Sequence, residues 1–208
     1  MIRDMVRLAE KQWQSLNHQR WQRRMDSLIA MGLKIGKNVV VESSVYIDQT
    51  SPFLIEIGDN CALAHGVRIL AHDATPFRFL GGYTRLGKVH IKDNCFIAED
   101  VIVLPGVTIG PNALVAAGSV VNKDIPPNSC VAGVPARFYA KFDEMLQRHK
   151  EAFGKRPIFE RQSLYFGDPA EKERCKKACE DGDCYVRGFA GTYPFTVNPV
   201  PGPPVTLL

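Results

Sequence analysis

From residue 91 to residue 126 one kind of side chain returns every six positions, at Ile91, Ile97, Val103, Ile109, Val115 and Val121. A companion register sits four residues after each, at Cys95, Val101, Val107, Ala113, Ser119 and Ile125, and holds small or aliphatic groups. A period of six matches neither the repeat of a helix nor the alternation of one long strand. It requires very short strands joined by turns, each six-residue unit forming one flat side before the chain bends. One unit cannot bury its own apolar position, so coils must stack, with neighbouring strands roughly 4.8 Å apart and branched side chains piled into interior columns. The spacing therefore predicts a mainly β chain of stacked coils, a β-helix of hexapeptide repeats.

The same register opens earlier, at Ile35, Val41 and Ile47, with Val39 and Val45 in companion positions, which starts the β-helix near residue 33. It slips by four residues across Gln49 to Phe53, where a small loop is expected, then resumes at Ile57, Leu63 and Ile69 with Gly58-Asp59-Asn60 as turn chemistry. From Asp73 to Val89 the pattern is lost in a polar and aromatic stretch carrying Phe77, Phe79, Gly81, Gly82 and Tyr83. So long an excursion from a regular coil points to function. After Val121, the turn residues Asp124, Pro126, Pro127 and Asn128 close the last complete coil, and Val131 to Ala136 make a partial one. The expected organisation is an N-terminal helical cap over 1–32, the β-helix over 33–137 with its loop at 73–89, a C-terminal helix over 138–153, and an irregular tail over 154–208. A short helix is expected over Glu171 to Glu180, followed by a proline-rich end from Pro194 to Pro204, and the tail reads as an appendage.

With 208 residues and 45% hydrophobic content the chain can bury one main core with flanks to spare. Its net charge of +4 comes without a long basic run, so nucleic acid is not an indicated partner, whereas a small anionic ligand would suit it. In the first thirty residues Met5, Leu8, Leu16, Met25, Leu28 and Ile29 lie among many charges. Arg3, Arg7, Lys11, Arg20, Arg23 and Arg24, with Trp13 and Trp21, would suit contact with an anionic membrane surface. Covering the open edge of the first coil is the favoured role. No stretch approaches about 18 apolar residues and the N-terminus lacks a signal-peptide core, so a soluble cytoplasmic protein with six reduced cysteines is expected.

Chemistry is expected where the repeat breaks. His72 stands where a coil gives way to the long loop, in Ile69-Leu70-Ala71-His72-Asp73-Ala74, and an imidazole at a coil edge can act as a general base near neutral pH. Asp48, at the register slip before Ser51-Pro52, is a candidate to bond an acceptor hydroxyl or to stabilise a turn. Cys175, Cys179 and Cys184 form a C-x3-C-x4-C cluster with the first two on one helical face, a looser spacing than zinc knuckles use, which favours free thiols over a metal. Cys61, Cys95 and Cys130 fall on repeat positions that take small buried groups.

Three segments, Gly106-Val107-Thr108-Ile109-Gly110, the run from Ala117 to Asn128, and Ala132-Gly133-Val134-Pro135-Ala136-Arg137, resemble the hexapeptide-repeat acetyltransferases, in particular galactoside, maltose and nodulation-factor O-acetyltransferases. The resemblance covers about residues 33–137. It implies a left-handed parallel β-helix, an exception to the right-handed crossover rule, assembled as a homotrimer with acetyl-CoA in the groove between adjacent subunits. His72 matches the family's catalytic histidine. Ala117 and Gly118 match small residues that admit the pantetheine arm, Phe96 an aromatic beside that arm, and Lys123 and Arg137 cations that meet CoA phosphates. Asp73 replaces a proline usual after the histidine, which places the chain nearer the polysaccharide-biosynthesis branch, and joins Asp48 as a candidate acceptor contact. Glu99 and Ala140 also depart from the galactoside pattern, with Lys141 available in place of a basic group at 140.

The function implied is an acetyl-CoA-dependent O-acetyltransferase acting on a sugar hydroxyl of a surface polysaccharide, lipopolysaccharide or glycan precursor, with no metal. The alternatives are N-acetylation of an amino sugar nucleotide, acetylation of an antibiotic, and a noncatalytic β-helix scaffold. His65, His72 and His90, with gaps of seven and eighteen, do not reproduce the zinc-ligand spacing of carbonic anhydrases that share this fold.

Overall fold

The structure is a computed structural model that describes residues 2–166, 169–180, 182–187 and 196–197. It opens with one helix, α1 (Ile2–Ala30). Trp21, Met25 and Leu28 recur four and three residues apart, so they share one face, and all three are buried with Leu33 in the core of the coils. This end of the helix therefore shares the core of the coils; the side chains of Met5, Leu8 and Trp13 lie outside the described part. At the helix C-terminus the Gly32 N–H donates to the Ile29 carbonyl at 2.9 Å and the Leu33 N–H to that of Leu28 at 3.0 Å, the bond pair of a Schellman stop. Only glycine serves there: φ is +99°, and a Cβ would lie 2.8 Å from the Cβ of Phe53.

The coils run β1 (Lys34–Ile35), β2 (Val39–Val41), β3 (Tyr46–Ile47), β4 (Ile55–Ile57), β5 (Ala62–Leu63) and β6 (Arg68–Ile69). After an excursion made of β7 (His72–Asp73), α2 (Thr75–Phe79) and β8 (Arg85–Leu86), they resume as β9 (Val89–Ile91), β10 (Phe96–Ile97), β11 (Ile102–Val103), β12 (Thr108–Ile109), β13 (Ala113–Val115), β14 (Val120–Val121) and β15 (Ser129–Ala132). Strands β1, β4, β9 and β12 stack in parallel as a first face; β2, β5, β10, β13 and β15 as a second; β3, β6, β11 and β14 as a third. The register is the one the repeat demands. Ile57, Ile91 and Ile109 align on the first face, Val41, Leu63, Ile97, Val115 and Val131 on the second, and Ile47, Ile69, Val103 and Val121 on the third. All of them are buried.

The corner from first to second face holds Asn38, Asn60, Asn94, Asn112 and Asn128, every one with φ between 54° and 58°. Asparagine tolerates this left-handed region better than other residues with a Cβ. The Asn38 amide donates to the Asn60 side chain at 3.0 Å, and that of Asn94 to Asn112 at 3.1 Å, so the corner is laced along the stack.

Several expectations are corrected. The register slip contains a short 3-10 turn, Pro52–Leu54. The loop at 73–89 is structured, because β7 and β8 pair antiparallel with His72 opposite Leu86 and Asp73 opposite Arg85. The C-terminal helix does not begin at 138: β16 (Arg137–Lys141) folds back antiparallel on β15, burying Ala140 and occupying the open edge of the second face, and helix α3 (Phe142–Phe153) follows. Nor are the described residues of the tail irregular. The chain forms two compact units, Met1–Phe142 with Tyr193–Val200, and Asp143–Thr192 with Pro201–Leu208. The second unit contains β17 (Ile158–Glu160), α4 (Arg161–Phe166), α5 (Pro169–Glu180) and β18 (Tyr185–Arg187), with β17 and β18 parallel. Its helix α5 starts two residues before the expected Glu171, on a proline, whose fixed φ suits a first helical turn. In the first unit β19 (Thr196–Val197) pairs antiparallel with β2, so that piece of the tail is part of the β-helix rather than an appendage. Pro194 and Pro204 lie outside the described residues. Among the described residues no helix is long and apolar enough to cross a membrane.

Candidate functional site

Both interruptions of the repeat fall on one corner, where the third face hands the chain to the first. The slip leaves β3 and the excursion leaves β6, and these strands are stacked neighbours with Ile47 opposite Ile69. Asp48 and His72, far apart in sequence, therefore emerge side by side.

Asp48 is fully buried. Its Oδ2 accepts the Ala71 N–H at 2.9 Å and lies 2.5 Å from His72 Nδ1. Its Oδ1 accepts the Thr50 N–H at 3.0 Å and the Thr50 hydroxyl at 2.7 Å. Thr50 Oγ1 also stands 3.1 Å from His72 Nδ1. Burial pushes the Asp48 carboxyl up, but the bonds from the Thr50 hydroxyl, the Ala71 N–H, His72 and the Thr50 N–H together outweigh it and hold the group at about 2. A carboxylate has no proton to give, so Nδ1 carries the proton of the Asp48–His72 bond, and in the neutral ring the lone pair then sits on Nε2. The His72 side chain remains 30% exposed. The arrangement can fix an imidazole in one tautomer and offer a basic nitrogen at a coil edge.

The remaining candidates are spread around the stack. Asp73 follows in β7, where its Oδ1 accepts the Thr75 N–H at 2.8 Å ahead of α2, and bonds from the Thr75 side chain and backbone hold its carboxyl below the usual range. Lys123 is exposed in the turn after β14; since β6, β11 and β14 stack in that order, it stands on the His72 corner two coils away, roughly 10 Å. Ala117 and Gly118 occupy a different corner, from second to third face, and both are exposed. Gly118 has φ +68° and nothing within 4 Å of where a Cβ would be, so its outer side is open. Phe96 lies on the second face between Ala62 and Leu114, 45% exposed. Arg137 opens β16 and donates to the Ala136 carbonyl at 3.0 Å. One chain thus unites Asp48, His72 and Asp73, places Lys123 along the same corner, and leaves Ala117, Gly118 and Phe96 off it.

Asp48 needs correction as an acceptor contact: buried, with both oxygens engaged, it stands behind the imidazole instead of facing a sugar. Thr50 was missed, although an Asp-x-Thr spacing at a turn is the signature of an Asx-type bond. Arg85 was missed too, and no local pattern marks it; the hairpin brings its Nη2 to 3.5 Å from the Cβ position of Gly106 on the same corner. The three histidines do not converge, since His65 Nδ1 lies 2.6 Å from the Ser44 hydroxyl and His90 Nε2 faces Glu56 at 3.9 Å. The thiols of Cys175, Cys179 and Cys184 do converge. Cys61, Cys95 and Cys130 are buried as reduced cysteines, as their repeat positions imply.

A family profile, bacterial transferase hexapeptide (six repeats), matches residues 88–123. The Bacillus subtilis protein named "Putative acetyltransferase YvoF" is 36% identical over 120 residues, 58% of this chain and 67% of that protein. The galactoside O-acetyltransferase of Escherichia coli is 33% identical over 114 residues, 54% of this chain and 55% of that enzyme. The chain spans 61% of the length of two Staphylococcus aureus relatives to which it is 37% identical. Among solved structures, a maltose O-acetyltransferase from Clostridium difficile is 27% identical over 64% of this chain and 87% of that one, at a TM-score of 0.45. The repeat that the profile describes is the repeat that stacks the three faces, and two thirds of the Bacillus relative is covered: the chain belongs to the hexapeptide-repeat transferase family.

Proposed function

We propose that the protein is an acetyl-CoA-dependent O-acetyltransferase that acetylates a sugar hydroxyl, in a surface polysaccharide, lipopolysaccharide or other glycan precursor. The observation that carries the reading is the buried Asp48 carboxylate bonded to His72 Nδ1 at the interrupted corner. Nε2 takes the proton of the acceptor hydroxyl as its oxygen attacks the thioester carbonyl carbon. The C–O bond forms, the C–S bond breaks, and the departing CoA thiolate recovers the proton from His72. Asp48 steadies the transient imidazolium and Thr50 steadies Asp48. Asp73, beside the base, is available to the acceptor.

The donor is a bulky anion, and the exposed cations Lys123 and Arg137 suit its phosphates. The open turn at Ala117-Gly118 and the half-exposed Phe96 on the adjoining second face suit the pantetheine arm. The Ala117-Gly118 turn lies on a different corner from His72, so a second copy that lays its Gly118 corner against the His72 corner of the first completes the site. This supports a homotrimer with three shared grooves; the left-handed winding of the coils rests on the family alone.

Radiolabelled acetyl-CoA offered with a panel of sugars, nucleotide sugars and glycolipids tests the activity; label must appear in an alkali-labile ester of one acceptor. Label recovered only as free acetate, with every acceptor in the panel, would overturn the reading. Sedimentation tests the shared site, and an active monomer at micromolar concentration contradicts it.

A further inference from the structure

The second unit carries a cluster that the proposed reaction does not use. Helix α5 sets Cys175 and Cys179 one turn apart on one face, and the chain returns to bring Cys184 against both. The Cys184 sulfur lies 3.5 Å from that of Cys175 and 3.2 Å from that of Cys179, and all three fall within 4.8 Å of one another. Four ligands at about 2.3 Å around a tetrahedral zinc ion stand about 3.8 Å apart, so these thiols are already near the spacing of a shared ion.

The return is a built one. Gly182 has φ +133°, and a Cβ there would meet the Arg156 guanidinium at 2.5 Å, which also puts a cation two residues from Cys184. The Tyr185 N–H then donates to the Pro157 carbonyl at 2.9 Å, and β18 pairs with β17. The unit has little apolar core of its own: among its described residues Phe159 and Leu164 are the buried apolar side chains. Units of about this size bury too little surface to be secure, and metals, disulfides or oligomer contacts usually supply the difference.

We propose that Cys175, Cys179 and Cys184 bind one zinc(II) ion as a structural staple of the 143–192 unit. The three thiols bind as thiolates and release their protons to solvent, and a water molecule completes the tetrahedron. A disulfide would join two sulfurs and strand the third, whereas one ion engages all three.

The full chain, reduced and stripped with a chelator, is titrated with cobalt(II) as the spectroscopic probe and then with zinc(II). One equivalent of cobalt should give thiolate-to-metal charge transfer in the near ultraviolet with tetrahedral visible bands, and zinc should displace it. Cys175→Ser, Cys179→Ser and Cys184→Ser should each weaken cobalt binding by about 100-fold, while Cys95→Ala should not. In the unaltered chain zinc should slow alkylation of these three thiols, and proteolysis between residues 143 and 192, by at least about 10-fold. This measurement needs no variant that fails to fold. Absence of the charge-transfer band in the reduced chain, its survival in all three serine variants, or equal alkylation with and without zinc would each overturn the proposal.

Discussion

Two corners of one β-helix, built from the same repeat, have opposite characters. From first to second face every turn is alike, with five asparagines at nearly the same φ. From third to first face the turns differ in every coil, and two of them admit the 3-10 turn and the hairpin excursion. The comparison shows that regularity and chemistry are separable. The laced corner and the stacked columns supply rigidity, which lets the opposite corner hold a fully buried carboxylate against an imidazole. Binding and catalytic groups commonly sit on irregular segments held by such a scaffold.

The largest expected effect breaks the scaffold both corners share. Ile97→Ala empties a fully buried position in the middle of the second face and should cost about 3 kcal/mol, read from denaturant midpoints. A loss below about 1 kcal/mol would mean the column closes up and does not act as a rigid platform. Next comes the irregular corner alone. Asp48→Asn removes the charge and turns one oxygen, which takes two donors, into an NH2 group; it should lower acetyl transfer by about 100-fold, equivalent to about 2.7 kcal/mol in the barrier, with acetyl-CoA affinity unchanged by calorimetry. An equal fall in affinity would place Asp48 in the donor site.

A smaller effect follows from pH. The folded value of Asp48, about 2, lies below the unfolded value of about 3.9, so the carboxylate contributes stability that is fully present above the unfolded value. That contribution, about 2 kcal/mol, is lost as pH falls through 4 towards 2. Comparing the unaltered protein with Asp48→Asn in urea at pH 3 and pH 6 should show the gap narrowing at the lower pH; a constant gap contradicts the depressed value. The smallest effect belongs to the regular corner. Asn112→Ala keeps a Cβ at φ +54° without the local amide, and should cost about 1 kcal/mol with no change in acetyl transfer. Loss of transfer there would show that the corners are coupled.

The stack was legible because a period of six reports directly which side chains point inward. The asparagine corner was visible only as scattered turn residues, since their common φ appears once the residues are assigned to one corner. The role of Asp48 was out of reach for a related reason: stacking β3 on β6 brings it to Ala71 and His72, and nothing in the local sequence states that pairing. Residues 138–141, expected as the first turn of the C-terminal helix, extend a strand instead because an unpaired strand edge was available to them. For Ala117, Gly118, Lys123 and Arg137 the resemblance proposed a shared role, but the order of faces puts them on different corners, which became visible with the strand order. The tail gave a thiol spacing without a geometry, because the return through Gly182 sets it.

The most direct test removes the base. His72→Ala should leave sedimentation and calorimetric affinity for acetyl-CoA close to those of the unaltered protein, because the interior columns do not include that imidazole, and should lower thermal stability only by about the worth of one bond to the buried Asp48 carboxylate, about 2 kcal/mol. Acetyl transfer to the acceptor found by screening should fall by about 100-fold or more, the scale of a positioned general base. A His72→Ala protein that folds, binds acetyl-CoA and acetylates that acceptor at the unaltered rate would contradict the account.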